Sequence, residues 1–396
     1  MKFLRLKNRI YADAAAATPV SRPVLKEMRR LLGLFGNPSA LHAEAVAAKN
    51  ELERARESIA ATIGAHADEI IFTSGGTEAN NLAIFGTLRR LLRVGEDVHA
   101  ITTAIEHSSV LEPLRALQKE GLLLTELPVD EQGLVSYKSL REALTDKTFF
   151  VSVQMVNSEV GTIQNIRELA KEVRHARKVR ETERAVYFHT DASQAPLWLK
   201  IGVEQLGVDL LTLDAQKMLG PKGAGVLFAR RGVRLEPHIY GGGQEAGRRS
   251  GTENVLLAGA CAIALREAQQ SVEARAEKTA AVRDYLLQHI EKAILGVTLN
   301  GAVGKLRAPN NLNISIPQLN GDMAVVALDA QGVAISTRSA CDTEDESPSH
   351  VLSAIGISST KAKNSIRITL LPGATKGQAR SVAKALVKAV ALYRQS

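Results

Sequence analysis

Residues 209–229 of the chain read DLLTLDAQKMLGPKGAGVLFA. Two apolar runs, Asp209–Leu213 and Gly225–Ala229, flank a turn that contains glycine and proline, which is typical of two buried strands joined by a short connection. Lys217 stands between the runs, and a lysine in such an apolar unit is costly to bury unless its charge is neutralised. A Schiff base with an aldehyde does this, so the pattern indicates an aldehyde-binding lysine. Lys222, in the turn itself, is expected to be solvated.

Similar apolar runs, rich in β-branched residues, alternate with amphipathic helical patterns from about residue 45 to 300. This alternation predicts an α/β domain with a mostly parallel sheet whose strands are buried on both faces. The other predicted strands are Glu69–Thr73, Val98–Thr103, Thr148–Val156 and Ala185–Thr190, and the predicted helices are Ala45–Ile63, Glu78–Leu92, Ser109–Glu120 and Ile166–Val179.

The sequence changes character after a long helical pattern over Ala258–Ile294. It then predicts a second, smaller α+β domain. We expect the large domain to span residues 13–260 and the small one to combine residues 1–12 with 261–396. The elements predicted for the small domain are the strands Asn310–Ile316, Val333–Ser336 and Ser365–Leu370 and the helix Lys376–Tyr393.

Composition excludes several classes of protein. The 396 residues include 50 Lys and Arg against 42 Asp and Glu, a net charge of +8, but the basic residues are interleaved with acids and aromatic residues make up only 4%. We therefore expect a mixed solvated surface and no stable nucleic-acid binding. No apolar stretch has the length of a signal peptide core or a membrane span. Two cysteines give no disulfide framework or zinc site, so we expect no metal and a cytoplasmic protein.

Polar residues follow several of the predicted strands, where ligands bind in open α/β sheets. Thr73–Asn80 forms a glycine-containing turn into a helix, which is either a phosphate cradle or an ordinary helix start. His107, Asn157 and Asp191 come after three further strands. Asp191 either caps a turn or pairs with a protonated ring nitrogen. Together with Lys217, these residues fit pyridoxal 5′-phosphate (PLP).

Ordered motifs over almost the whole chain resemble the cysteine desulfurases of the NifS/IscS type, in the class V aminotransferase group of fold-type-I PLP enzymes. The resemblance runs from about Tyr11 to Leu371. The motifs that carry it are Thr73–Asn81, Glu106-His107, Val156–Ile163, His189–Gln194, Lys217 with Gly220–Gly223, Gly241–Glu245, Arg248–Asn254 and Ser339–Cys341.

This resemblance implies an L-cysteine desulfurase that works as a homodimer and converts L-cysteine to L-alanine. Cys341 would take the sulfur as a persulfide and pass it to an acceptor protein of iron–sulfur cluster assembly or tRNA thiolation. Lys217 would carry the cofactor and later move protons, and His107 would stack on its ring and act in acid/base steps. The other implied roles are phosphate binding by Gly76 and Thr77, and by Thr252 for the partner subunit, ring binding by Asp191 and Gln194, and substrate carboxylate binding by Asn157 and Arg367.

The local sequence supports the role of Cys341 as the sulfur-accepting thiol independently of the resemblance. Residues 337–347 are nearly all small or charged and lie between an apolar strand and a helix start at Ser347-Pro348. This composition predicts a solvated, movable loop, which suits a thiol that must visit a closed pocket and then an outside acceptor. Cys261, within an apolar helix, instead fits a small buried residue.

Three positions depart from the pattern of the family. Asp214 and Gln216 replace a serine and a histidine that usually donate to the cofactor phosphate, and Arg338 replaces a glycine. Because a carboxylate repels a phosphate dianion, we expect Asp214 to point away or to cap the adjacent backbone, leaving Gln216 and Thr252 to donate. The alternatives are a related PLP lyase acting on selenocysteine or cysteine sulfinate, and a weakly active scaffold that binds a sulfur-relay partner.

Overall fold

The computed structural model describes residues 9–179, 186–337 and 349–395. Its largest sheet has seven strands in the order β2-β8-β7-β6-β5-β3-β4. In this sheet β8 runs in the opposite direction to the other six strands. A three-stranded antiparallel sheet has the order β12-β10-β9, and β1 pairs in parallel with β11. The strands are β1 Ile10–Tyr11, β2 Ile70–Thr73, β3 His99–Thr103, β4 Leu123–Leu127, β5 Thr148–Ser152, β6 Tyr187–Asp191, β7 Leu210–Asp214, β8 Gly225–Ala229, β9 Thr298–Leu299, β10 Asn311–Ser315, β11 Val333–Ala334 and β12 Ser365–Thr369.

Thirteen α-helices are present in the described ranges, and most of them flank these sheets. Within the same ranges, none is both long enough and apolar enough to cross a lipid bilayer. The helices are α1 Arg22–Leu31, α2 Ala43–Ile63, α3 Gly76–Arg93, α4 Ser108–Lys119, α5 Tyr137–Ala143, α6 Ile166–Val179, α7 Val203–Leu206, α8 Val255–Gln269, α9 Val272–Ala293, α10 Gly321–Asp329, α11 His350–Ala354, α12 Ser359–Lys363 and α13 Lys376–Gln395.

The seven-stranded sheet is covered on both faces, as the apolar runs predict. Successive residues of one strand point to opposite faces. Leu210 therefore belongs to one buried core and Leu211 to another on the other face. A separate core lies between the three-stranded sheet and helices α9, α10 and α13. All the predicted strands are confirmed, with ends shifted by a few residues, and Ala185 of one prediction lies outside the described residues.

The chain segment after β1 connects the two sheets at their common edge. Ala14 N donates to the carbonyl of Thr369 at the end of β12, and Thr18 N donates to that of Gln216, just after β7. The backbone of residues 13–18 therefore crosses the carboxyl ends of the large sheet, where the predicted ligand residues stand. No sequence pattern predicted this crossing.

Candidate active site

A cavity of about 210 Å³ lies at the carboxyl ends of β6 and β7, beside the start of α3 and α4. This is the location at which open α/β sheets bind ligands. Among the residues that line it are the predicted cofactor-binding residues Gly76, Thr77, Asp191, Gln194 and Gln216 and the predicted catalytic or substrate-binding residues Lys217, His107 and Arg367.

Lys217 ends a short 3₁₀ turn that follows β7, and Asp214 caps this turn. Its Nζ donates to the carbonyl of Ala15 at 2.8 Å and to that of Ala16 at 2.6 Å. The half-buried amine is thus aimed into the cavity and held by the backbone of the crossing segment. Lys222 is exposed in the following turn, as expected.

The start of α3 forms an anion-binding cradle. Its N-cap, Gly75, has no side chain to accept from the first N–H groups of the helix, so these groups and the helix dipole favour an anion. A Cβ on Gly76 would lie 2.9 Å from Ser193 Oγ and 3.3 Å from Asp214 Cβ, so glycine keeps the cradle open. The buried Ser193 Oγ has no hydrogen-bond partner within the described part of the chain.

Two polar side chains, Asn80 and Ser109, connect Asp191 to His107. Asn80 Nδ2 donates to Asp191 Oδ2 and to Ser109 Oγ, each at 2.8 Å. Ser109 N donates to His107 Nδ1, and Ser109 Oγ lies 2.7 Å from the same nitrogen. Because Nδ1 accepts these bonds, the neutral imidazole carries its proton on Nε2. The network fixes both the tautomer of His107 and the orientation of Asp191.

Arg367, at the centre of β12, is the largest fully buried side chain of the described residues and points toward the cavity. Its Nη2 donates to Asp13 Oδ1 at 2.8 Å and its Nη1 donates to the carbonyl of Ser158 at 3.3 Å. Its Nε is buried without a partner among the same residues. The guanidinium is therefore fixed on one side and can still donate to a carboxylate.

Glu106 lies directly behind His107 and is completely buried. Its Oε1 accepts from Thr103 Oγ1 and from Gln154 N, both at 2.8 Å, whereas Oε2 has no partner in the described segments. Burial raises the pKa of the carboxyl to about 8, and the charge of Asp191 acts in the same direction. Glu106 is consequently protonated at neutral pH.

Two predicted residues do not reach this cavity. The Asn157 side chain holds its own turn, since Nδ2 donates to the carbonyl of Ile105 and Oδ1 accepts from the N–H groups of Glu159 and Val160. Thr252 is exposed and lines a neighbouring cavity of about 200 Å³. Cys341, Arg338 and almost all of the predicted loop lie outside the described residues.

Asp214 takes the second of the two placements expected for it, the cap of the adjacent backbone. Its Oδ1 accepts from Gln216 N at 3.2 Å, which is the expected cap. However, the carboxylate also lines the cavity, and its Oδ2 accepts from Gln216 Nε2 at 3.0 Å. The reason is that the cap holds the short side chain beside Gly76, so it cannot turn out of the cradle. Gln216 therefore donates one of its two side-chain amide hydrogens to Asp214.

Several functional contacts could not be found from the sequence. Asp13, Ala15 and Ala16 bind Arg367 and Lys217 across about 200 or more positions of the chain. Asn80 lies in the Thr73–Asn81 motif and Ser109 in the predicted helix Ser109–Glu120. Their link between Asp191 and His107, however, depends on the packing of α3 against α4.

Comparison with known proteins gives the same family. The family model described as "Aminotransferase class-V" matches residues 10–380. "Cysteine desulfurase IscS" of Dictyoglomus turgidum is 43% identical over 370 residues, 92% of this chain and 90% of the relative. "Cysteine desulfurase IscS 1" of Archaeoglobus fulgidus is 37% identical over 91% of each chain. This chain belongs to the class V aminotransferase family.

Solved structures of this family agree over nearly the whole chain. A "NIFS-LIKE PROTEIN" superposes with a TM-score of 0.89 at 31% identity and covers 97% of this chain and 100% of its own. "SspA in complex with cysteine" gives a TM-score of 0.79 at 36% identity, with 92% and 99% covered. As a class V enzyme of this branch, the chain is a PLP-dependent cysteine desulfurase with a fold of PLP type I.

The cavity fits the cofactor in three respects and departs in one. The open cradle at α3, with the unpartnered Ser193 hydroxyl, suits a phosphate. Asp191 suits a protonated ring nitrogen, and Lys217 suits the aldehyde. The carboxylate of Asp214 beside the cradle is the departure.

Proposed function

We propose that this chain converts L-cysteine to L-alanine in the cavity around Lys217 and leaves the sulfur as a persulfide on Cys341. The observation that carries the proposal is the convergence of an amine, a carboxylate, an anion cradle and a buried arginine on one cavity of about 210 Å³. The desulfurases among the relatives support cysteine as the substrate.

The cofactor would be held at both ends. Gly76, Thr77 and Gln216 would bind its phosphate, and Thr252 of each subunit would reach the phosphate bound in the partner. Asp191 would hold the ring nitrogen, Gln194 the ring hydroxyl and Lys217 the aldehyde carbon, with His107 stacked on the ring. The bound cofactor supplies an electron sink for the pair released when substrate bonds at Cα are broken.

Arg367 would orient the substrate through its carboxylate. The Nε of Arg367 is buried and unpartnered within the described ranges, whereas Asp13 and the Ser158 carbonyl hold the other side of the guanidinium. An Nε–H and a neighbouring Nη–H of one guanidinium bind a carboxylate in a fixed plane through two parallel hydrogen bonds.

Proton transfer falls to Lys217 and His107. The Ala15 and Ala16 carbonyls orient the Lys217 amine, so that once the amine is free it can take a proton from the substrate Cα and return one to carbon. His107 presents a neutral imidazole with its proton on Nε2, because Nδ1 is engaged by Ser109. His107 can therefore donate that proton to the substrate, on the side of the cavity that would hold its sulfur.

Cys341 would take the sulfur by nucleophilic attack. Its thiolate forms a bond to the substrate sulfur while the Cβ–S bond breaks, and the electron pair left on carbon is protonated to give L-alanine. The product on the enzyme is a persulfide. An acceptor protein of iron–sulfur cluster assembly or tRNA thiolation would receive its outer sulfur, in the cytoplasm, where thiols stay reduced.

We infer a homodimer from an exposed apolar surface. In the connection between α1 and α2, Phe35 is 84% exposed and Leu41 is 95% exposed. Tyr240, in a second segment, is 71% exposed. Pro38 and Ser39 of this connection line one cavity with Gly243 and Gln244, so the two exposed segments meet. Large apolar side chains exposed on adjoining segments are typical of a subunit interface.

The test is the release of alanine and sulfide from L-cysteine in the presence of a reductant. Cys341→Ala should lose desulfuration by two or more orders of magnitude while keeping the absorbance of the bound cofactor. Cys261→Ala is the matched control, because Cys261 is buried and burial, with the charge of Asp214, raises its pKa to about 12. Equal loss in both variants, or full activity without Cys341, would contradict the proposal. A lyase for cysteine sulfinate would instead turn over that substrate without Cys341.

A further inference from the structure

Asp214 places a negative charge beside the phosphate cradle. It is 6% exposed and ends β7, and its Oδ2 would be 3.4 Å from a Cβ on Gly76, the first residue of α3. Both carboxylate oxygens accept from Gln216, which holds the side chain in this position. A phosphate at the start of α3 would therefore have a carboxylate as a close neighbour.

The hydrogen bonds that Asp214 accepts come from the uncharged backbone and side-chain amides of Gln216. No arginine of the described segments forms an ion pair with Asp214. Arg249 is bound to Glu78 of α3 at 2.8 Å, and the Lys217 amine, which lines the same cavity as Asp214, donates to two carbonyls. The other charged or titratable groups that face this region are Asp191 at the end of β6, His107 at the start of α4, Arg367 of β12 and Cys261 of α8.

We propose that Asp214 makes the cradle selective for a phosphate that carries one negative charge, so that cofactor binding takes up a proton at neutral pH. This inference rests on the proposed placement of the cofactor. A phosphate monoester loses its second proton near pH 6, so the free cofactor is mostly a dianion at pH 7.5. Next to Asp214, the phosphate and the carboxylate share one retained proton, as two neighbouring acidic groups do.

The expected consequence is an affinity for the cofactor that falls as the pH rises. Because one proton is taken up on binding, the dissociation constant should increase by up to about tenfold for each pH unit above the pKa of the free phosphate. A cradle with a neutral group at position 214 binds the dianion directly and lacks this slope. Asp214 thus acts as a specificity-determining residue for the ionisation state of the cofactor.

The probe should carry the phosphate but no aldehyde, so that reaction with Lys217 does not contribute. Pyridoxine 5′-phosphate meets this requirement, and pyridoxine is the control without phosphate. Binding to the full-length protein, stripped of cofactor, is measured by calorimetry at about pH 6.5 and about pH 8.5 in two buffers of different ionisation enthalpy, which yields the number of protons taken up.

The wild type should bind pyridoxine 5′-phosphate at least tenfold more weakly at the higher pH and take up close to one proton per phosphate there. Asp214→Asn should take up about one proton fewer than the wild type, with a correspondingly smaller pH dependence, and Asp214→Ser should repeat this result if the amide variant folds poorly. An equal pH slope and proton uptake in the wild type and in either folded variant would overturn the inference. If the inference fails in this way but the wild-type holoenzyme retains its yellow cofactor, the proposed function stays intact. A separate result, a wild type that binds neither PLP nor the probe, would refute the proposed function itself.

Discussion

At the scale of single residues, Glu106 is the clearest case of a group whose ionisation is set by the fold. Its pKa is raised to about 8 by burial, from 4.5 for an exposed glutamate. Below about pH 4.5 the carboxyl is protonated in the folded and the unfolded chain. Between these pH values only the folded chain holds the proton, so the free energy of unfolding falls by a few kcal/mol as the pH rises from about 4.5 to about 8 and then levels off.

Glu106→Gln should remove this loss, because an amide does not ionise. We expect the free energy of unfolding of the variant, relative to the wild type, to increase by a few kcal/mol between about pH 5 and pH 9, measured by urea unfolding. Glu112→Gln is a matched control, since the Glu112 side chain is 67% exposed. A difference between Glu106→Gln and the wild type that stays constant with pH would mean that Glu106 is ionised in the folded protein.

At the scale of secondary structure elements, the start of α3 determines how the cofactor phosphate is held. Gly76→Ala should fill the cradle, because the new Cβ would lie 2.9 Å from Ser193 Oγ, closer than real contacts allow. We expect the affinity for PLP to fall by about tenfold or more, with the far-ultraviolet circular dichroism unchanged.

Gly377→Ala in α13 provides the comparison for this variant. A Cβ there would meet Thr375 Oγ1 at an ordinary 3.6 Å, so cofactor affinity and folding should both be retained. If the two alanine variants titrate with PLP alike, the phosphate does not bind at the start of α3.

The elements that carry the site were predictable where the signal is local. The apolar runs gave the strands of the large sheet, and polar residues at their ends marked His107, Asp191 and Lys217. The strand β4 was not predicted, because Thr125 and Glu126 interrupt its apolar residues and it lies at the sheet edge, where most of its residues are only half-buried. The pairing of Asp13 with Arg367 was not predictable either, since it joins positions 354 residues apart.

At the scale of the whole molecule, the buried cores indicate where the two domains separate. The sequence predicted a boundary near residue 260, within α8. Cys261, Leu265 and Ala268 of α8 pack with the core of the large sheet, whereas the core of the small sheet includes Leu286 and Ile290 of α9. We therefore propose that the boundary lies between α8 and α9, near Ser271.

The homodimer that we infer would be held together by the exposed apolar side chains between α1 and α2. The double substitution Phe35→Asp and Leu41→Asp should convert a dimer into a monomer, because charged groups in a buried interface are costly. Sedimentation of the full-length protein measures this directly. Leu295→Asp is the control, since Leu295 is 83% exposed in the connection after α9 and should leave the dimer intact. A wild type that sediments as a monomer would contradict the inferred dimer.

The most direct test of the account is the covalent position of the cofactor. Borohydride reduction of the yellow holoenzyme, followed by peptide mapping, should place one pyridoxyl group on Lys217, whose amine lies in the cavity against Ala15 and Ala16. Lys222, exposed five positions further along the chain, should remain unmodified. A pyridoxyl group on Lys222, or none on Lys217 in a protein that has bound PLP, would contradict the account.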